Sequence, residues 1–101
     1  MKNIIISADG DRMVYSVPDK VAENLTQYCT DFCDKWLPTS PHAKKHRIKG
    51  GICYNEADFI EYLNTWIFPN EPSAFLDNLG PIGIDETPIP EKYQDCPMFN
   101  F

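Results

Sequence analysis

Asp9-Gly10 stands between two runs that read as strands, Asn3 to Ala8 and Asp11 to Val17. Both turn residues tolerate the positive φ that a type I′ hairpin demands, and this is the strongest local constraint in the chain. Such a turn sets a register in which Ile6 faces Met13 and Ile4 faces Tyr15, with Val17 continuing that apolar stripe. The opposite side carries Ile5, Ser7, Arg12, Val14 and Ser16. One face is therefore expected to be buried and the other mixed.

Pro18 then opens a helix at a position where its missing N–H costs nothing, and Asp19 complements the dipole in the first turn. Val21, Leu25, Tyr28, Phe32 and Trp36 follow at helical spacing, with Ala22, Cys29 and Leu37 beside them, and this core-facing helix is expected to end near Pro38. Ser40-Pro41 suits the cap of one or two further turns through His46, before Gly50-Gly51 breaks the pattern. Ile52-Cys53-Tyr54 reads as a short strand. Asn55 with Asp58 three residues on makes a relative of the capping box. It opens a second helix with Phe59, Ile60, Leu63, Trp66 and Ile67 on its buried stripe. Six of the nine prolines lie from Pro69 onward, Ala74-Phe75-Leu76 reads as one helical turn or a short strand, and residues 80–101 show no periodic element. The ending Pro97-Met98-Phe99-Asn100-Phe101 is too apolar for a free linker.

This order implies one α+β domain over residues 1–101. A small, mostly antiparallel sheet, made of the hairpin plus the short strand, packs against two helices. Residues 1–79 form the core, and an extended Pro-rich tail, 80–101, docks on that core or on a partner. No apolar run approaches the roughly 18 residues that span a bilayer, and Ile4-Ile5-Ile6 is too short for a signal-peptide core, so a cytoplasmic protein without membrane attachment is expected.

Charge is unevenly placed. Residues 1–37 carry a net −2, residues 38–50 a net +4 and residues 51–101 a net −8. An acidic second half repels phosphate backbones and suits a basic protein surface, which disfavours bulk nucleic-acid binding. Tyr62, Phe75, Tyr93, Phe99 and Phe101 fall outside the helical stripes and are interspersed with Glu71, Asp77, Asp85, Glu86, Glu91 and Asp95. Aromatic anchors ringed by polar groups dominate interface energetics, so these eleven residues are the candidate partner-binding set.

Other constellations compete with that reading. Cys29-x3-Cys33 and His42-x3-His46 offer two i,i+4 pairs that could surround a tetrahedral zinc, although two-Cys two-His fingers leave about twelve residues between the pairs. Here there are eight. Lys44, Lys45, Arg47 and Lys49 before Gly50-Gly51 form the one basic island, a candidate anion site that lacks the lysine and hydroxyl of a P-loop. Asp9-x-Asp11 has Val14 where a calcium loop needs glycine. Without an export signal the four cysteines are expected to stay reduced. No nucleophile elbow, cofactor fingerprint or carboxylate dyad stands out, so an enzyme is not expected.

The stretch Arg47-Ile48-Lys49-Gly50-Gly51-Ile52-Cys53-Tyr54-Asn55-Glu56-Ala57-Asp58-Phe59-Ile60 with Tyr62-Leu63-Asn64-Thr65-Trp66, and the ending Asp95-Cys96-Pro97-Met98-Phe99-Asn100-Phe101, resembles an uncharacterised family of small acidic proteins from anaerobic gut bacteria. The resemblance covers most of the chain and implies no catalytic residues. In size and charge alone the chain is also similar to phage and mobile-element inhibitors, some of which block CRISPR nucleases by occupying basic channels. The expectation is a non-enzymatic protein–protein interaction protein, with an anti-CRISPR-like inhibitor as one form it could take and a nucleic-acid-handling complex as the partner. The alternative is a small zinc-binding module using Cys29, Cys33, His42 and His46.

Overall fold

The hairpin forms in the expected register, β1 (Lys2–Ser7) pairing antiparallel with β2 (Asp11–Val17) so that Ile6 faces Met13 and Ile4 faces Tyr15. Its turn departs from the expected type: Asp9 takes a φ of 57° while Gly10 stays out of the positive region, and a type I′ turn needs both. The computed structural model describes residues 1–81 and 88–101.

After Pro18 the chain turns helical over α1 (Asp19–Glu23) and α2 (Leu25–Asp31), interrupted at Asn24, whose φ of −134° is not helical. The same rod widens into a π-turn at Phe32–Trp36, where the Leu37 N–H donates to the Phe32 carbonyl, and closes with the short α3 (Leu37–Thr39). A proline inside a helix clashes with the carbonyl four residues back, and the wider turn just ahead of Pro38 relieves that clash. Ser40 caps the next segment as expected, its Oγ accepting from the His42 N–H at 3.1 Å at the start of a 3₁₀ helix, Pro41–His46.

The strand expected at residues 52–54 does not join the main sheet. Instead β3 (Arg47–Ile48) and β4 (Gly51–Ile52) form a separate two-residue ribbon, turned by Gly50 at φ 97°. The capping box is complete: the Asp58 N–H donates to Asn55 Oδ1 at 3.1 Å and the Asn55 N–H to Asp58 Oδ2 at 2.9 Å. It starts α4 (Glu56–Tyr62), which also widens into a π-turn, Leu63–Ile67, with the Phe68 N–H on the Leu63 carbonyl at 2.7 Å just before Pro69. Because each residue of a π-turn advances less around the axis, the stripe shifts there. Trp66 and Ile67, expected in the core, are 45% and 37% exposed, whereas Tyr62, still in α4, is buried three residues after Phe59.

Two further strands come from the Pro-rich second half of the chain. β5 (Ala74–Pro81) pairs antiparallel with β2, and β6 (Met98–Asn100) pairs parallel with β1, giving a mixed four-stranded sheet in the order β5-β2-β1-β6. The expected three-stranded sheet is thereby corrected to four strands, and residues 82–87 of the expected tail lie outside the described residues. Residues 98–100 complete the sheet, and Glu91–Tyr93 is a 3₁₀ turn.

The fold is α+β, and both faces of the hairpin are buried. Ile4, Ile6, Tyr15 and Val17 meet the helices in the larger core, whose hub is Phe32. Its ring lies 5.2 to 5.9 Å from those of Trp36, Tyr54, Phe59, Tyr62 and Phe101, nearly parallel to Trp36 and inclined to the other four, and at such distances aromatic pairs add to plain burial. On the other face Ile5 and Val14 are covered by Leu79 and Tyr93, with Ile89 and Cys96 packed beside them. Among the described residues no helix is long and apolar enough to cross a membrane.

Candidate functional site

Cys29 projects from α2 into the main core and is fully buried, and burial pushes its thiol far above the ordinary range. Cys33, in the first π-turn, points its Sγ at the Tyr54 hydroxyl 3.5 Å away. His42 lies flat on Trp66, ring centroids 4.0 Å apart, and His46 faces the Cys53 carbonyl. These four side chains do not converge, and among the described residues no three His, Cys, Asp or Glu groups come together in a way that could hold a metal. The physical reason is that the cysteines serve the packed face of a helix that ends before the histidines begin. The structure thus does not bring the four expected zinc ligands together among the described residues.

The basic island is only partly available. The Arg47 guanidinium donates to the Leu37 and Ser40 carbonyls, both at 2.8 Å, tying down the end of the first helical rod. Lys45 pairs with Glu61 at 3.2 Å, while Lys44 and Lys49 are exposed. The anion site expected from Lys44, Lys45, Arg47 and Lys49 is thus divided between structure and solvent.

Of the partner-binding candidates, Tyr62 and Tyr93 are core residues, 6% and 7% exposed. Phe99 and Phe101 pack against the main core, their rings 5.0 Å apart. Phe75 differs: it is 55% exposed beside Leu76 at 47%, on the outermost strand. Asp77 is half-buried next to it and accepts from the Tyr93 hydroxyl at 3.4 Å. Glu71, Glu91 and Asp95 are exposed, and Asp85 and Glu86 lie outside the described residues.

The outer strand itself is irregular. Its pairing with β2 slips between Val14 and Tyr15, which leaves Leu76 as an extra residue between the partners Asp77 and Phe75, and a bulge of this kind re-aims neighbouring side chains. Beyond it the strand's own side chains cap its backbone: Asp77 Oδ1 accepts from the Asn78 N–H at 2.9 Å, and Asn78 Oδ1 from the Gly80 N–H at 2.8 Å. The N-terminal half, Ala74 to Leu76, has no such caps from its own side chains among the described residues.

A second region was only half visible in the sequence. The two π-turns face each other across a cavity of about 200 Å³, with Trp36 from the first and Thr65 and Trp66 from the second on its walls. Tyr62 adds a ring 5.1 Å from Trp36 and tilted by 58°. The 3₁₀ helix contributes His42, Lys45 and His46, and α4 contributes Asp58 and Glu61. A carbonyl can only accept, so the 3.1 Å contact of His46 Nδ1 with Cys53 O places the proton on Nδ1. That contact is to the backbone rather than the thiol, so it does not assemble a Cys–His nucleophile. The i,i+5 shift that turns Trp66 outward leaves no simple periodic trace, whereas the histidines were legible as polar residues on a capped turn.

Comparison with protein-family models, curated proteins and solved structures finds no match for this chain.

Proposed function

We propose that this protein is a non-enzymatic interaction protein that offers the open edge of its sheet to an extended, basic segment of a partner, of the kind found in nucleic-acid-handling complexes. The observation that carries this reading is the exposure of Phe75 and Leu76 together on β5, within the half of the chain that has a net charge of −8. An edge strand can add a strand of another chain through its backbone, while alternate side chains confer specificity. Negative charge around such an edge favours lysine- and arginine-rich strands and accelerates encounter. Used to occupy a partner's nucleic-acid channel, the same surface would act as an inhibitor.

A photo-crosslinking residue placed at Phe75, and separately at Lys44 on the basic side, tests it in bacterial lysate. The expected result is one basic protein captured from position 75 and not from position 44, with capture lost in a protein also carrying Leu76→Arg and Glu71→Lys. Equal capture from both positions, or capture indifferent to the charge changes, overturns it.

A further inference from the structure

We propose that the cavity between the two π-turns is a binding site for a quaternary ammonium group, independent of the sheet edge. Three features of its wall point to that chemistry. Aromatic rings line it in more than one orientation: Trp36 lies at 58° to Tyr62 and at 54° to His46, while Trp66 is stacked on His42. A cation within about 6 Å of such faces is attracted by the ring quadrupole, and tryptophan is the strongest of these partners. The wall carries one ammonium, Lys45, against two carboxylates, Asp58 and Glu61, an excess of one negative group among its lysine and acidic side chains.

The third feature separates a quaternary ammonium from other cations. Both Glu61 oxygens face Lys45 Nζ, at 3.2 and 3.4 Å, and Asp58 Oδ2 already accepts from the Asn55 N–H. The site therefore supplies negative potential and π-faces, with few unengaged carboxylate oxygens. A guanidinium or primary ammonium would bring N–H groups that need acceptors, and leaving them unmet is costly. A methylated ammonium brings none. At roughly 30 Å³ per water the cavity holds about seven waters, ample for a nitrogen and its methyl groups.

The protein has two tryptophans, and both line this cavity, so intrinsic fluorescence reports on it directly. Choline and a peptide containing trimethyllysine carry the same head group from two sources, and 3,3-dimethylbutan-1-ol is choline's uncharged carbon analogue. Titration with each is expected to give saturable fluorescence changes for the two cations and binding about tenfold weaker for the alcohol. Stronger binding by the peptide identifies a protein side chain as the source, stronger binding by choline a free metabolite. Trp66→Ala, at an exposed position, is expected to weaken binding about tenfold while leaving the circular dichroism spectrum unchanged. Glu61→Gln should weaken it, and Lys45→Met, which removes the competing cation, should strengthen it. Equal affinity for the alcohol, no saturable response to either cation, or wild-type affinity in W66A overturns the proposal.

Discussion

The two outer strands of the sheet are closed in different ways. β6 is three residues long, yet it is fastened at every step. The Ile5 N–H donates to the Pro97 carbonyl at 2.9 Å and the Phe101 N–H to the Ser7 carbonyl at 2.8 Å. The Asn100 side chain reaches over the hairpin tip, its Oδ1 accepting from the Asp9 N–H at 2.9 Å and from Ser7 Oγ at 3.0 Å, while its Nδ2 donates to Asp9 Oδ1. Asp9 is the one non-glycine residue with positive φ among those described, so this clamp holds the strained point of the turn. β5 is eight residues long and bulged, and it leaves two adjacent large apolar side chains in water, against the single Met98 of β6. One edge is spent on stability; the other keeps a surface free.

The sharpest way to break that contrast is Phe101→Ala, which removes a ring packed against Phe32, Tyr54 and Phe59. Because the ring is partly exposed, a loss of about 3 kcal/mol is expected, the low end for aromatic truncation, measured by urea unfolding. Asn100→Ala should cost about 1–2 kcal/mol through the orphaned Asp9 and Ser7 groups, and the Asp9 amide should exchange faster with deuterium. On the other edge, Phe75→Ala forfeits a T-shaped contact with Tyr15 at 5.7 Å and should cost about 1 kcal/mol or less while weakening affinity for the captured partner in a direct binding assay. A larger stability loss at Phe75 than at Phe101 would reverse the assignment of the two edges.

Alkaline pH probes both edges at once. Burial, reinforced by the Cys33 hydrogen bond, pushes the Tyr54 hydroxyl from 10.0 up to about 12 beside Phe101, and burial raises Tyr15 beside Phe75. Tyr62 is raised as well, again chiefly by burial. A folded-state pKa above the unfolded one means the native protein holds the proton longer. The stabilisation is thus complete below pH 10 and is lost as pH rises through about 12. Absorbance titration should show three of the five tyrosines ionising late, and the unfolding midpoint should fall over that window. The smallest effect expected is in thiol labelling: exposed Cys53 reacts readily in the native protein, whereas Cys29 reacts only on unfolding.

What could be read from the chain was whatever depends on near neighbours. The hairpin register follows from a two-residue turn and alternating side chains, and the caps at Ser40 and Asn55 follow from hydroxyl and amide groups placed just ahead of a helix. β5 was legible only at Ala74-Phe75-Leu76, and there as either a helical turn or a short strand, because its bulge at Leu76 interrupts the alternation; β6 was hidden because three residues are too few to show a period. The binding candidates Tyr62, Tyr93, Phe99 and Phe101 looked surplus to the helical stripes only because the elements that bury them lie far away in sequence. Both histidines of the cavity were picked out, but as metal ligands. Their actual neighbours, Trp36 and Trp66, meet across a gap of thirty positions that no local pattern bridges.

The clamp of Asn100 on Asp9 joins positions 91 residues apart. Until the C-terminal segment arrives, β1 has one side without its β6 partner, and the main aromatic cluster lacks Phe99 and Phe101. Contacts of such long range slow the search for the native state. A state in which β6 has not docked therefore leaves part of the aromatic cluster uncovered, and surface of that kind is prone to aggregation.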